Sequence, residues 1–120
     1  MSFAGKALGK LGEDLAADYV RGLGLKIVGR NVKLNCGEID LLCEASGNIL
    51  VIAEVKTMDT DMLESPLEQV TRSKQAKLCQ LASELAGRQP DKYLRIDLVG
   101  VDLTSGTPKF EYAENAVVCG

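Results

Sequence analysis

The sequence predicts an α/β protein, a mixed central sheet flanked by helices in the order α-β-β-β-α-β-β. Three observations carry that reading. Apolar residues recur at spacings of three and four near the N-terminus and again across 67–85, the period of a helix with one buried face. Between them lie short alternating runs bounded by Gly, Asn and Ser, the pattern of half-buried strands. No apolar run approaches the ~20 residues of a membrane span.

The first helix is expected from Ala4 to Leu23, with Leu8, Leu11, Leu15, Tyr19 and Leu23 as its apolar stripe. Gly22 and Gly24 are stop signals. Glu13 falls outside the stripe, on the side carrying Gly9, Ala16 and Val20, where small neighbours let a helix approach a sheet. Taken alone, Glu13 also reads as a surface residue. A strand from Lys26 to Val32 follows and contains Arg30-Asn31. The next two strands read Gly37-Glu38-Ile39-Asp40-Leu41-Leu42 and Leu50-Val51-Ile52-Ala53-Glu54-Val55-Lys56. In the first of these, Ile39, Leu41 and Cys43 share one face, with Glu38, Asp40 and Leu42 on the other.

Residues 58–64 read as a mobile acidic loop. Ser65-Pro66-Leu67-Glu68 has the layout of a helix start, an N-cap followed by proline and then Glu three after the cap. Thr71 offers a second start, which would leave Pro66 to Val70 as a separate turn. The helix is expected to end at Gly87, with Pro90 beyond it. Leu67, Val70, Lys74, Leu78, Leu81 and Leu85 form its stripe, and Lys74 occupies an apolar position within it. Either its stem snorkels along the apolar face or its ammonium reaches across the sheet toward the carboxylates or a bound phosphate. Two strands close the chain, Tyr93 to Leu103 and Lys109 to Ala113, joined by a turn over Thr104 to Pro108.

Asp40, Glu54 and Lys56 do not suit a buried sheet, because ionised groups are rarely buried unless paired or metal-bound. A hairpin with an odd-length loop centred on Gly47 pairs Asp40 with Glu54, since each lies seven residues from it. Their Cβ atoms would then be roughly 5 Å apart, and like charges at that spacing need a cation or a proton between them. A two-residue Gly47-Asn48 loop would slip the register by one and separate them. Two carboxylates suit a hard divalent cation, and a neighbouring lysine suits a water beside it.

At 120 residues the chain is expected to form one domain, 1–120. It lacks the basic-then-hydrophobic start of a signal peptide, which predicts a cytoplasmic location and no membrane association. Cys36, Cys43, Cys79 and Cys119 lack C-x-x-C spacing and read as reduced, mostly structural thiols rather than a zinc site. Cys36 and Cys43 should face opposite sides of the sheet. The net charge is −3, yet basic residues are in excess across 1–33 and 71–95, and acidic ones across 34–70 and 96–120. An acidic centre between basic helices suits a phosphate-bearing polymer, although solvated helical faces give the same pattern. The chain has no histidine, which excludes imidazole-based mechanisms.

Asp40 followed by Glu54-Val55-Lys56, behind a helical Glu13, resembles the PD-(D/E)xK nuclease superfamily. Gly9-Lys10-Leu11-Gly12-Glu13, Arg30-Asn31, Gly37 through Leu42, Glu54-Val55-Lys56, Val70 through Lys74 and Arg95-Ile96-Asp97 together are similar to the YraN-like bacterial proteins. The resemblance implies a restriction-endonuclease-like fold and a metal-dependent nuclease acting on DNA, branched or single-stranded, in processing or repair. It implies Asp40 and Glu54 as ligands to Mg²⁺ or Mn²⁺, with the Val55 carbonyl and Glu13 completing the site. Lys56 would orient the attacking water, and Lys74 would be an auxiliary site residue. DNA is implied as a partner ahead of RNA, and many small nucleases of this fold are homodimers. Met58 departs from the arginine common at that position in the group. The alternative is a catalytically silent nuclease-fold module that binds nucleic acid or a protein partner, the latter through the acidic 59–64 loop.

Overall fold

The structure, a computed structural model, describes residues 5–60 and 64–120. Helix α1 spans Gly5–Gly22, followed by strands β1 (Lys26–Leu34), β2 (Gly37–Ala45) and β3 (Ile49–Met58). A 3-10 turn at Leu67–Gln69 leads into helix α2 (Arg72–Arg88), then strands β4 (Tyr93–Asp102) and β5 (Lys109–Ala113). The strands form a five-stranded sheet in chain order. β3 and β4 run parallel because the α2 crossover joins them; the other neighbours are antiparallel. This is the restriction-endonuclease-like α/β core expected from the sequence. The expected helix start at Ala4 and residues 61–63 of the acidic loop lie outside the described residues.

Each helix covers one face of the sheet. Ala16, Ala17 and Val20 of α1 pack with Leu41, Cys43, Val51, Ala53, Val99 and Val101. Leu78, Leu81 and Leu85 of α2 pack with Ile39, Leu50, Ile52, Ile96 and Leu98 on the opposite face. Burying each such leucine contributes about 1.5–3 kcal/mol. The α2 stripe is therefore the expected one. The α1 stripe is not: its buried residues are Gly12, Ala16, Ala17 and Val20, while Leu23 is half exposed. Small side chains let α1 lie close against the sheet, and a Cβ on Gly12 would stand 1.8 Å from Thr57 Oγ1. The leucines flank that contact instead of making it, with Leu15 and Tyr19 only partly buried.

The start of α2 takes the second of the two expected positions. Thr71 is its N-cap, accepting a hydrogen bond from the Lys74 backbone N–H at 3.1 Å. Pro66 to Val70 is a separate turn, seated against the sheet where Gly100 leaves room for Pro66 and Leu67. The helix runs one residue past Gly87. Met58 belongs to the end of β3 rather than to the loop, and its sulfur accepts from Gln69 Nε2.

Two expectations are corrected on β2 and among the cysteines. Ile39 does not share a face with Leu41 and Cys43; it packs on the α2 side and they pack on the α1 side. The change of face falls at Asp40. On β1, Arg30 pairs with Leu41 and Val32 with Ile39, and Asn31 between them has a left-handed backbone (φ 52°). That kink disrupts the pleat of the hairpin and turns its far half toward α2. Cys79 and Cys119 form a disulfide tying the C-terminal segment to α2, so only Cys36 and Cys43 are free thiols. These two do lie on opposite sides of the sheet, and burial pushes the Cys43 thiol up to about 11.

Candidate functional site

The β2–β3 register is the one centred on Gly47, with Leu41 opposite Ala53, Leu42 opposite Ile52 and Ala45 opposite Ile49. Asp40 and Glu54 are the next pair in that register. There the strands part, and Asp40 Oδ2 accepts the Val55 backbone N–H at 2.9 Å. The side chain thus takes over from the main-chain ladder at the level where β2 changes face.

Glu54 continues the Leu50–Ile52 face of β3, toward α2. Its carboxylate meets Lys74 Nζ at 3.2 Å. Lys74 therefore reaches the Glu54 carboxylate, in line with the second of its two sequence readings. Glu54 is 8% exposed. Burial pushes its carboxyl up to about 7, and the hydrogen-bonded Asp40 carboxylate beside it adds to the rise, while Lys74 pulls the other way. A half-exposed ammonium thus pairs with a buried carboxylate that a second carboxylate opposes.

Glu13 approaches from the other face. Its Oε1 accepts from Asn31 Nδ2 at 2.6 Å and from Arg30 at 3.3 Å. Arg30 also binds Asp14 at 2.7 Å, which holds the Asp14 carboxyl below its usual range. Glu13 and Asp40 line one concavity of 300 Å³ with Val55, Lys56 and Thr57. Glu54 and Lys74 line a second, of 380 Å³, and share Val55 and Lys56 with the first. The end of β3 is thus the wall between two half-sites. Among the described residues, no three acidic or cysteine side chains already converge as a metal cage. Asn31 is the contributor that sequence reasoning left without a role. An Asn inside an otherwise strand-like run is the sequence signal that could have found it, since Asn is depleted in strands and tolerates a left-handed backbone.

A second carboxylate network sits one strand away. Asp97 is fully buried and accepts Arg95 Nε and Nη2 at 3.0 Å each, the Asn115 backbone N–H at 2.9 Å, and the Tyr112 hydroxyl. Burial, then the hydrogen bond to Asp97, pushes the Tyr112 phenol up. No helix among the described residues is long and apolar enough to cross a membrane.

Fold and site together define a restriction-endonuclease-like α/β core carrying paired carboxylates at the splayed end of a β-hairpin. Residues 12–101 match the model of a family described as Uncharacterised protein family UPF0102. Similar proteins include a UPF0102 protein of Mycolicibacterium vanbaalenii, 41% identical over 96 residues and covering 78% of each chain. Another, from Dehalococcoides mccartyi, is 36% identical over 119 residues and covers 98% of each chain. A third, from Rhodococcus jostii, is 41% identical over 114 residues, covering 92% of this chain and 95% of its own. The chain belongs to the UPF0102 family, the YraN-like group.

Proposed function

We propose that this protein is a metal-dependent nuclease that hydrolyses phosphodiester bonds in DNA. The observation that carries the reading is Glu54, a buried carboxyl facing a second carboxylate with Lys74 as its cation. Hard oxygen donors short of positive charge fit Mg²⁺ or Mn²⁺. Asp40, Glu54 and the Val55 carbonyl would hold the ion, with Glu13 closing the set from the α1 side. Such an ion, when bound, polarises a phosphoryl oxygen and lowers the pKa of a coordinated water.

The chain's own groups do the rest. Lys56 stands on the wall shared by both half-sites and has no ion pair among the described residues. It orients the attacking water and stabilises charge as it develops. Lys74 offsets charge on the phosphoryl oxygens from the α2 side. The Val55 N–H holds Asp40 in place, so the first carboxylate is positioned before substrate arrives.

A second reading, binding without cleavage, is favoured by one observation. Glu13 Oε1 is already committed to Asn31 and Arg30. The test is cleavage of end-labelled single-stranded, duplex, flapped and four-way DNA with Mg²⁺ or Mn²⁺, beside Glu54→Ala. Cutting that needs metal and is lost in the variant is the expected result. Folded wild-type protein that cuts nothing supports the binding module. Lys56→Ala is expected to keep the fold and metal binding but lose cleavage; a collapse in melting temperature instead would make Lys56 structural.

A further inference from the structure

The two half-sites are the middle of a longer trough. On the α1 side, the concavity holding Glu13 and Asp40 shares Gly5, Gly9 and Glu13 with a larger one of 930 Å³ that is lined by Lys6. On the α2 side, the concavity holding Glu54 shares Thr71 and Lys74 with one of 560 Å³ lined by Lys77. Four concavities linked by shared walls therefore cross the molecule, over the end of β3.

Half of the six cations along this path are already engaged. Lys10 pairs with Asp14, Arg30 with Asp14 and Glu13, and Lys74 with Glu54. Lys6, Lys56 and Lys77 make no ion pair or side-chain hydrogen bond among the described residues. They stand at one end, the middle and the other end. Uncommitted ammonium groups spaced along a groove match the repeating phosphates of an extended strand. The walls carry no aromatic side chain among the described residues, so bases find nothing on which to stack.

We infer that one polynucleotide strand lies along this trough, gripped through its phosphates by Lys6 and Lys77 on either side of Lys56, and read without regard to sequence. The inference rests on the nuclease reading and adds the strand's path and its indifference to base identity. Glycines at positions 5 and 9 keep the α1 wall low, with no atom within 4 Å of a Cβ built there. The backbone of a strand can therefore approach the helix closely. A duplex would lie over the trough instead of in it.

The test is fluorescence anisotropy of the full chain with a labelled thymidine homopolymer, a mixed-sequence strand and the corresponding duplex. It is run in EDTA across a series of KCl concentrations, which removes cleavage from the readout. Wild-type protein should bind both strands within about twofold of each other and more tightly than the duplex. Each single-strand phosphate contact contributes about 0.7 to the slope of log affinity against log salt. The Lys6→Gln/Lys77→Gln variant should therefore lose about 1.4 of that slope. Lys109→Gln, on β5 away from the trough, should leave it unchanged, and all variants should melt with the wild type. Wild-type binding with an unchanged slope in the double variant would overturn the path. Tighter binding to duplex, or a strong preference between the two strands, would overturn the single-strand, sequence-independent grip. No binding of any nucleic acid by folded wild-type protein would overturn the strand path, while the nuclease reading stands or falls separately on metal-dependent cleavage.

Discussion

Glu54 and Asp97 are the two buried acidic residues among those described, on neighbouring parallel strands and opposite faces of the sheet. Asp97 is saturated: a bidentate arginine, a phenol and a backbone N–H surround its two oxygens. Glu54 has Lys74 as its cation and a second carboxylate opposing it. Burial alone therefore does not mark a site. What distinguishes the two is the balance of partners, since a satisfied carboxylate holds structure together and an under-compensated one costs stability. That cost is retained on the strand end that also carries Lys56.

The largest expected effect lies on the satisfied acid. Asp97→Ala removes the fully buried acceptor shared by the partly buried Arg95 and Tyr112, leaving Arg95 only its exposed partner Glu114, and should cost about 3 kcal/mol in urea unfolding. A loss under 1 kcal/mol would erase the contrast between the two acids.

Glu54 should behave in the opposite way. Its folded carboxyl titrates near 7, above the ordinary 4.5, so the folded state holds this proton more tightly than the unfolded chain does. Stability is then fully present below pH 4.5 and is lost as pH rises through 7, by at most roughly 3 kcal/mol. Glu54→Gln should flatten that fall and melt higher than the wild type above pH 7. Mn²⁺ should flatten it too in the wild type. Parallel melting profiles for the two proteins across this range would show that Glu54 is not under strain.

A smaller effect is expected at the α1 contact. Gly12→Ala drives a methyl into Thr57 and should cost about 1–3 kcal/mol by overpacking. Because Glu13 is the next residue, Mn²⁺ affinity should fall with it. Unaltered metal affinity in a folded variant would separate Glu13 from the site. The smallest effect is at the α2 cap. Thr71→Ala should cost about 1 kcal/mol and loosen the turn that carries Lys74. The pH midpoint of the Glu54-linked stability change should then rise, because Lys74 is the group holding that carboxyl down. A fixed midpoint would mean that Lys74 is positioned by something other than the cap.

Much of the site was legible before any coordinates. The strand register followed from Gly47 and the equal distances to Asp40 and Glu54, and the α2 stripe followed from its leucines. Lys74 stood out because a charge interrupted that stripe. What the sequence by itself determined was local: element order, strand register within one hairpin, and which polar residues sat where apolar ones belonged. Period, turn length and composition act between near neighbours, so one chain segment carries them.

Tertiary structure alone decided the rest. It chose the small-residue face of α1 over the leucine stripe, because close approach to Thr57 outweighs side-chain hydrophobicity there. It turned β2 over at Asp40 through the left-handed Asn31 of another strand. It gathered Arg95, Tyr112 and Asn115 around Asp97, and joined Cys79 to Cys119 across a separation of 40 residues. It also divided the site into two half-pockets on either side of β3. Each of these outcomes depends on distance between segments remote in sequence, and no periodicity within a segment encodes that distance.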